Sequence, residues 1–325
     1  MTDRKFAPVW ATLFIFLMLY GAGAYHYAGF RDLLVLSNLL TDNAFLIVAG
    51  IGMTFVILSG GIDMSVGAMI ALVGVLMGTM LNDYGYHPLT AIAIALLFSM
   101  IAGTFVGILV AVFGLQPFVV TLVAMFLYRG IAYLINLNSV PVSHPFLTML
   151  SDIYFPLPGR GGVSIIVLVT GLLLVLGVVL AHQTRFGMNV YAVGGDRKVA
   201  YLMGLPVIPT VIYVYALSGL FSGIAGVIFT LYTGAAYPLA AIGVELDVIT
   251  AVVMGGAMLT GGVGLVVGTF LGCLVLGIIQ TLIAFDGTLN SGWTKVAIAG
   301  FLLLFLLLQK GSVRFLVRGY PDQAD

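Results

Sequence analysis

Charge is what this chain has least of. Aspartate, glutamate, lysine and arginine together make up 7% of its 325 residues, against about 25% in soluble globular domains. That scarcity excludes a soluble domain of any size. Twelve basic and twelve acidic residues cancel, so net charge offers nothing to draw a nucleic acid. The single cysteine, Cys273, lies within an apolar run and excludes a disulfide framework. The motifs of hydrolysis are missing too. None of the four lysines follows a glycine, so there is no GxxxxGKS/T phosphate loop, and HExxH, GxSxG and CxxC are absent. His26, His87, His144 and His182 stand singly near segment ends. The chain reads as no enzyme, with no metal site and no cofactor of its own.

What the chain has is hydrophobic length. It is 62% apolar with a mean hydropathy of +1.20. Apolar runs of about 20 residues, enough to cross a bilayer as helix, recur from end to end. The fold class is therefore all-α polytopic membrane protein, a single transmembrane domain over 1–325. Ten segments emerge: 8–28, 44–59, 64–82, 89–111, 117–136, 163–182, 210–232, 244–259, 264–284 and 294–309. Arg4 and Lys5 before the first segment, with Ala22-Gly23-Ala24 near its end, fit a cleaved signal peptide. The stretch is longer than most signal cores, so an uncleaved first helix is expected. With both termini in the cytoplasm, inner segments hold Arg4, Lys5, Arg185, Arg197, Lys198, Lys310, Arg314 and Arg318. Arg31, Arg160 and Lys295 lie outside or at the outer edge, and Arg129 falls within a span. Eight against three fits the positive-inside rule. Trp10, Tyr84, Tyr86, Tyr154 and Trp293 fall near the expected interfaces.

One phrase occurs twice. Residues 59–67 read SGGIDMSVG and residues 260–268 read TGGVGLVVG, identical at four of nine positions. Both follow a short apolar segment, 44–59 or 244–259. Sixteen residues of helix span about 24 Å, less than the ~30 Å hydrocarbon core. Each short segment with its Gly-Gly pair is expected to form a discontinuous or re-entrant element, enclosed by protein or a wet cavity. Ser59, Gly60, Gly61, Asp63, Ser65, Thr260, Gly261 and Gly262 are the candidate pathway residues. The competing role for the glycines is close helix packing.

Asp63 either caps the helix beginning near Ser65 or offers a carboxylate to a passing hydroxyl compound. Its counterpart is Gly264, so the two copies are not equivalent. Arg129 is the one basic residue well inside a span, expected as a structural anchor or the partner of a carboxylate, with snorkelling to the outer interface as the competing reading. Glu245 and Asp247 are expected near the outer face, where they favour the dipole of the eighth span, and Asp286 closes the ninth. A proton-coupled carrier would bury carboxylates mid-span, and apart from Asp63 none is expected there.

The longest inner loop, 183–209, contains a second kind of signal. Asp196 is a good N-cap, Val199, Leu202 and Met203 follow at i, i+3 and i+4, and Gly204 and Pro206 end the turn. A short amphipathic helix is expected there, lying on the bilayer or docking in a partner's groove.

Four stretches together resemble the permeases of bacterial ATP-binding-cassette sugar importers, the ribose, xylose, arabinose and galactoside branch: 52–67 (GMTFVILSGGIDMSVG), 116–130 (QPFVVTLVAMFLYRG), 184–204 (TRFGMNVYAVGGDRKVAYLMG) and 253–269 (VMGGAMLTGGVGLVVGT). The resemblance covers nearly the whole chain. GVELDVITAVVMGG (243–256) and FDGTLNSGWTK (285–295) look closest to one of the two permeases of the galactofuranose importer. The resemblance implies a pore subunit of the bacterial inner membrane, with a vitamin B12-importer-like (type II) fold. A cytoplasmic ATPase would bind ATP and contact Asp196, Arg197, Val199, Ala200, Leu202, Met203 and Gly204. A periplasmic binding protein would deliver sugar to the face carrying loop 137–162, and a second permease, copy or paralogue, would complete the dimer in the lipid. The family usually has Asn and an Ala pair after the double glycine, where this chain has Asp196 and then Val199-Ala200. The implied fold carries an inverted repeat, whereas the even span offset between the two phrases makes them parallel. A stand-alone ion-coupled carrier and an intramembrane enzyme are the other readings, disfavoured by carboxylate placement and by the missing motifs.

Overall fold

The structure, a computed structural model, describes residues 3–157, 161–288 and 292–317. Arg160 and Arg318, counted above in the charge balance, lie outside the described residues. The helices are α1 (Asp3–His26), α2 (Leu33–Asp42), α3 (Ala44–Leu58), α4 (Val66–Asn82), α5 (Pro88–Ala111), α6 (Pro117–Ile135) and α7 (Pro145–Ser151). They continue with α8 (Ile165–Gln183), α9 (Arg185–Gly195), α10 (Arg197–Leu202), α11 (Val207–Thr233), α12 (Val244–Met254), α13 (Val266–Asp286) and α14 (Gly292–Val317). Each of the ten apolar segments reappears as a helix. By length and composition, six of these helices suit a membrane crossing, and α2 with α3, bent by 51°, makes a seventh. α4 and α12 have 17 and 11 residues, and α12 is shorter than its expected segment because the chain turns from Gly255 onward.

Three helices escaped the sequence reading, one of them the short α7 within loop 137–162. α2 precedes the first short segment, capped where the Asp32 carboxylate accepts the N–H of Leu34 at 3.2 Å, so that segment is the inner part of a bent pair rather than an isolated half-span. α9 runs straight into α10, capped by Thr184, whose Oγ1 accepts the N–H of Gly187 at 3.2 Å.

Burial sorts the bundle into a centre and a periphery. All of α3 except Phe45 is buried, as a helix apolar on every side requires. α11, α12, α13 and one face of α8 pack against it, α4 packs on α11 beside it, and α1, α5, α6 and α8 leave most of their residues outside the buried centre. Glycines bring the backbones together: Gly103 and Gly107 of α5 face Gly219 and Ile212 of α11, and Gly268 and Gly272 of α13 face Gly255 and Ala251 of α12. Such small-residue contacts let helices approach where lipid supplies no hydrophobic drive.

The contacts also fix directions. Thr54 bonds Thr269 at 2.6 Å and Cys273 lies 3.7 Å from the Leu46 carbonyl, so α3 and α13 are antiparallel. α12 is antiparallel to α13 as well, through the Gly255–Gly268 and Ala251–Gly272 contacts. α3 and α12 therefore run the same way, and the two repeated phrases are parallel copies. At the other end, β1 (Val140–Pro141) pairs with β4 (Ala235–Ala236), and β2 (Tyr154–Leu157) with β3 (Gly161–Ser164).

Candidate functional site

The two repeated phrases meet. Gly262 donates its N–H to the carbonyl of Leu58, the last residue of α3, at 2.9 Å. A Cβ on Gly261 would stand 2.9 Å from the Cα of Gly60 and 2.7 Å from the carbonyl oxygen of Gly194, and one on Gly262 would stand 2.8 Å from the Cα of Gly195. A Cβ on Gly194 would collide with the Leu58 carbonyl. Three Gly-Gly pairs, from the two breaks and from the end of α9, thus share one point. Gly60, Gly261 and Gly262 have φ of +83°, +90° and +73°, conformations that glycine alone takes without strain. Gly61 needs its missing side chain for a different reason, because the Tyr215 hydroxyl occupies that space.

Beside this point opens a cleft of about 750 Å³, lined by Ser59 and Gly60 of the first break, Pro117 of α6, and Gly194, Gly195, Asp196, Arg197 and Tyr201. A second cleft of about 400 Å³ reaches Gly262 between α1, α8 and α9. On its wall the Tyr191 hydroxyl donates to the Gly264 carbonyl at 2.7 Å. Burial pushes that phenol up to about 12, which keeps it a neutral donor. Thr260 is exposed.

Asp63 is enclosed. One carboxylate oxygen accepts the N–H of Ser65 at 2.9 Å and its hydroxyl at 2.6 Å, and the other accepts the Ser218 hydroxyl of α11 at 2.7 Å. The carboxylate closes the turn that leads into α4 and ties it to a distant helix, without reaching the first-turn N–H groups of α4 itself, and both Asp63 and Ser65 are buried. Tyr215 and Ser218, which complete this corner, were not singled out from the sequence. Ser218 lies 155 residues away, and no local pattern marks it.

α10 is capped as its sequence implies: the Asp196 carboxylate accepts the N–H groups of Lys198 at 2.8 Å and Val199 at 2.9 Å. Gly204 leaves the helix at φ +78°. Ala200 packs inward, whereas Val199, Tyr201, Leu202 and Met203 are exposed, Leu202 by 80%. An apolar face this open, joined to α9 and through it to both breaks, is built to be covered.

Arg129 is half-buried, and its Nη1 donates to the carbonyls of Pro238 and Ala240, each at 2.6 Å. The segment it holds folds inward, and this overturns one expectation. Glu245 does not sit at the outer face; it is buried at 8% exposure, against Gly67 at the start of α4. α12 begins inside the bundle because 235–243 returns into it, a tertiary feature that no helix-end signal reveals. Asp247 pairs with Lys295 of α14 at 2.8 Å. Asp286 accepts from Tyr27 at 3.4 Å.

Residues 35–307 match the family described as branched-chain amino acid transport system / permease component. The chain is 45% identical over 308 residues to the inner membrane ABC transporter permease protein YjfF of Escherichia coli (strain K12), covering 95% of this chain and 93% of that one. The chain belongs to this permease family. The permease is also 35% identical to the fructose import permease protein FruG of Bifidobacterium longum, over 95% of this chain and 92% of that one. It is 36% identical to the ribose import permease protein RbsC of Bacillus subtilis, over 87% and 83%. No solved structure matches. The resemblance seen in the sequence to ATP-binding-cassette sugar permeases therefore holds at the level of the family.

Proposed function

We propose that this permease is the membrane-spanning subunit of an ATP-binding-cassette importer that carries a monosaccharide, galactofuranose- or galactose-like or a pentose, across the bacterial inner membrane. Both termini lie in the cytoplasm, and the helices form a single permease domain, in which the parallel α3 and α12 depart from the inverted repeat that a type II fold implies. A periplasmic binding protein delivers the sugar on the side of 137–162. A cytoplasmic ATPase holds the nucleotide and grips 196–204, and a second permease completes the pair.

The observation that carries this reading is the exposed apolar face of α10, which is continuous through α9 with the meeting point of the two breaks. The ribose and fructose import permeases among the relatives support the substrate class. In this reading α10 passes the ATPase's motion to Gly194, and from there to Leu58 and Gly262, so that the breaks open or close the path beside Ser59 and Gly60. Affinity purification tests it. The permease should bring down an ATP-binding-cassette ATPase, and Leu202→Asp should abolish that recovery at unchanged abundance; recovery of the ATPase with the variant would count against it.

A second reading, an ion-coupled carrier acting alone, draws on the burial of Glu245, since buried carboxylates serve proton relays.

A further inference from the structure

Glu245 is left incomplete by the protein around it. One carboxylate oxygen, Oε1, accepts the N–H of Gly243 at 3.1 Å. The other, Oε2, is buried with no hydrogen-bond partner among the described residues. It lies against Gly67, the last residue of the first repeated phrase, which has no side chain to offer. An ionised carboxylate only accepts, with room for about four hydrogen bonds, and a buried acceptor left empty in a native structure calls for an explanation. Arg129 does not supply one: it is within coulombic reach of Glu245, but its Nη1 is committed to the Pro238 and Ala240 carbonyls.

The segment that covers this carboxylate is poised to move. Glycines in left-handed conformation flank it, Gly234 at φ +67° and Gly243 at φ +85°. Between them Ala241 has φ +57°, the one non-glycine at positive φ among the described residues. Such backbone persists only where its surroundings hold it and gathers at switch regions. The β1–β4 pairing holds the segment's first two residues, and the Arg129 clasp holds the stretch beyond them.

Building on the reading above, we propose that Glu245 is a sugar-binding residue of the pathway, accepting hydrogen bonds from substrate hydroxyls, and that the 235–243 segment latched by Arg129 is the gate over it. Sugar hydroxyls are the donors that Oε2 lacks. Release of the two carbonyls from Arg129 frees the segment to swing on its glycines, and the carboxylate is then presented beside Gly67, four residues beyond Asp63. Substrate thus meets Glu245 before it meets the first break.

Two measurements on the assembled importer in proteoliposomes test this. With radiolabelled galactose and ribose as probes, Glu245→Gln should cut ATP-driven uptake about tenfold or more, with thermal unfolding and assembly with the ATPase unchanged. In a second variant, Glu245→Cys, labelling by an impermeant maleimide from the binding-protein side should be slow and should quicken at least several-fold when Arg129→Ala is added. Uptake by Glu245→Gln within about twofold of the unsubstituted complex overturns the binding role. Uptake, stability and assembly falling together make Glu245 a structural carboxylate and also overturn it. Labelling indifferent to Arg129→Ala overturns the gate. No ATP-driven uptake of either sugar by the unsubstituted complex counts against the importer reading, and the binding role falls with it, while the labelling still reads the latch.

Discussion

Gly262 closes the end of α3: its N–H meets the Leu58 carbonyl at 2.9 Å, 204 positions away in sequence (262 − 58). Helix C-termini leave carbonyls unpaired, and here a carbonyl of the first break is satisfied by the backbone of the second. Neither break can shift without the other, and Gly194 of α9 is wedged against the same carbonyl.

This junction sets apart two neighbouring glycines. Gly194→Ala places a methyl against the Leu58 carbonyl, whereas a methyl on Gly195 meets nothing within 4 Å. Overpacking of this kind costs about 1–3 kcal/mol. Gly194→Ala should lower the unfolding temperature and the uptake of the assembled importer, and Gly195→Ala should leave both near wild type. Thermal unfolding in detergent with parallel uptake assays compares them; equal behaviour of the two variants would remove the junction's role.

Asp63 has a chemical test of its own. Asp63→Asn keeps an oxygen for Ser65 and turns an amide toward the Ser218 hydroxyl, which accepts as well as donates. Uptake should stay close to normal. Asp63→Ala strands the Ser65 N–H and the Ser218 hydroxyl in a buried site, at about 1–3 kcal/mol for each unsatisfied group, and should lower abundance. Loss of uptake in Asp63→Asn at full abundance would instead make the charge part of the path.

Orientation is checked by thiol labelling. A cysteine replacing Lys198, exposed at the start of α10, should be protected from impermeant reagents in intact cells with a permeabilised outer membrane. One replacing Asn138, exposed beyond α6, should label. Labelling at 198 from outside would reverse the topology and take the α10 coupling role with it.

The parts of this design readable from sequence are those with local signals. Gly-Gly pairs interrupting apolar runs mark the breaks, and an aspartate before i, i+3, i+4 apolar residues marks α10 with its exposed Leu202, whereas Ala200, expected among the partner contacts, packs inward. α2 stayed hidden because ten residues are too few for a span and its capping Asp32 follows a 3-10 turn. α9 stayed hidden because its glycines, Gly187, Gly194 and Gly195, read as loop. The contacts of Asp63 with Ser218 and of Arg129 with Pro238 join residues more than 100 positions apart, so no spacing announces them. Glu245 was misplaced for the same reason: an acidic residue at a helix start reads as interfacial unless the preceding segment is known to fold inward.

The central claim is that this permease moves sugar only with an ATPase and a binding protein. Its most direct test is uptake of radiolabelled galactose and ribose into proteoliposomes holding either the complete importer or this chain alone. The complete importer should accumulate sugar on addition of ATP, and omission of the binding protein should abolish it. The chain alone should accumulate nothing under an imposed proton gradient. Gradient-driven accumulation by the chain alone, indifferent to ATP, would contradict the account and establish an ion-coupled carrier in its place.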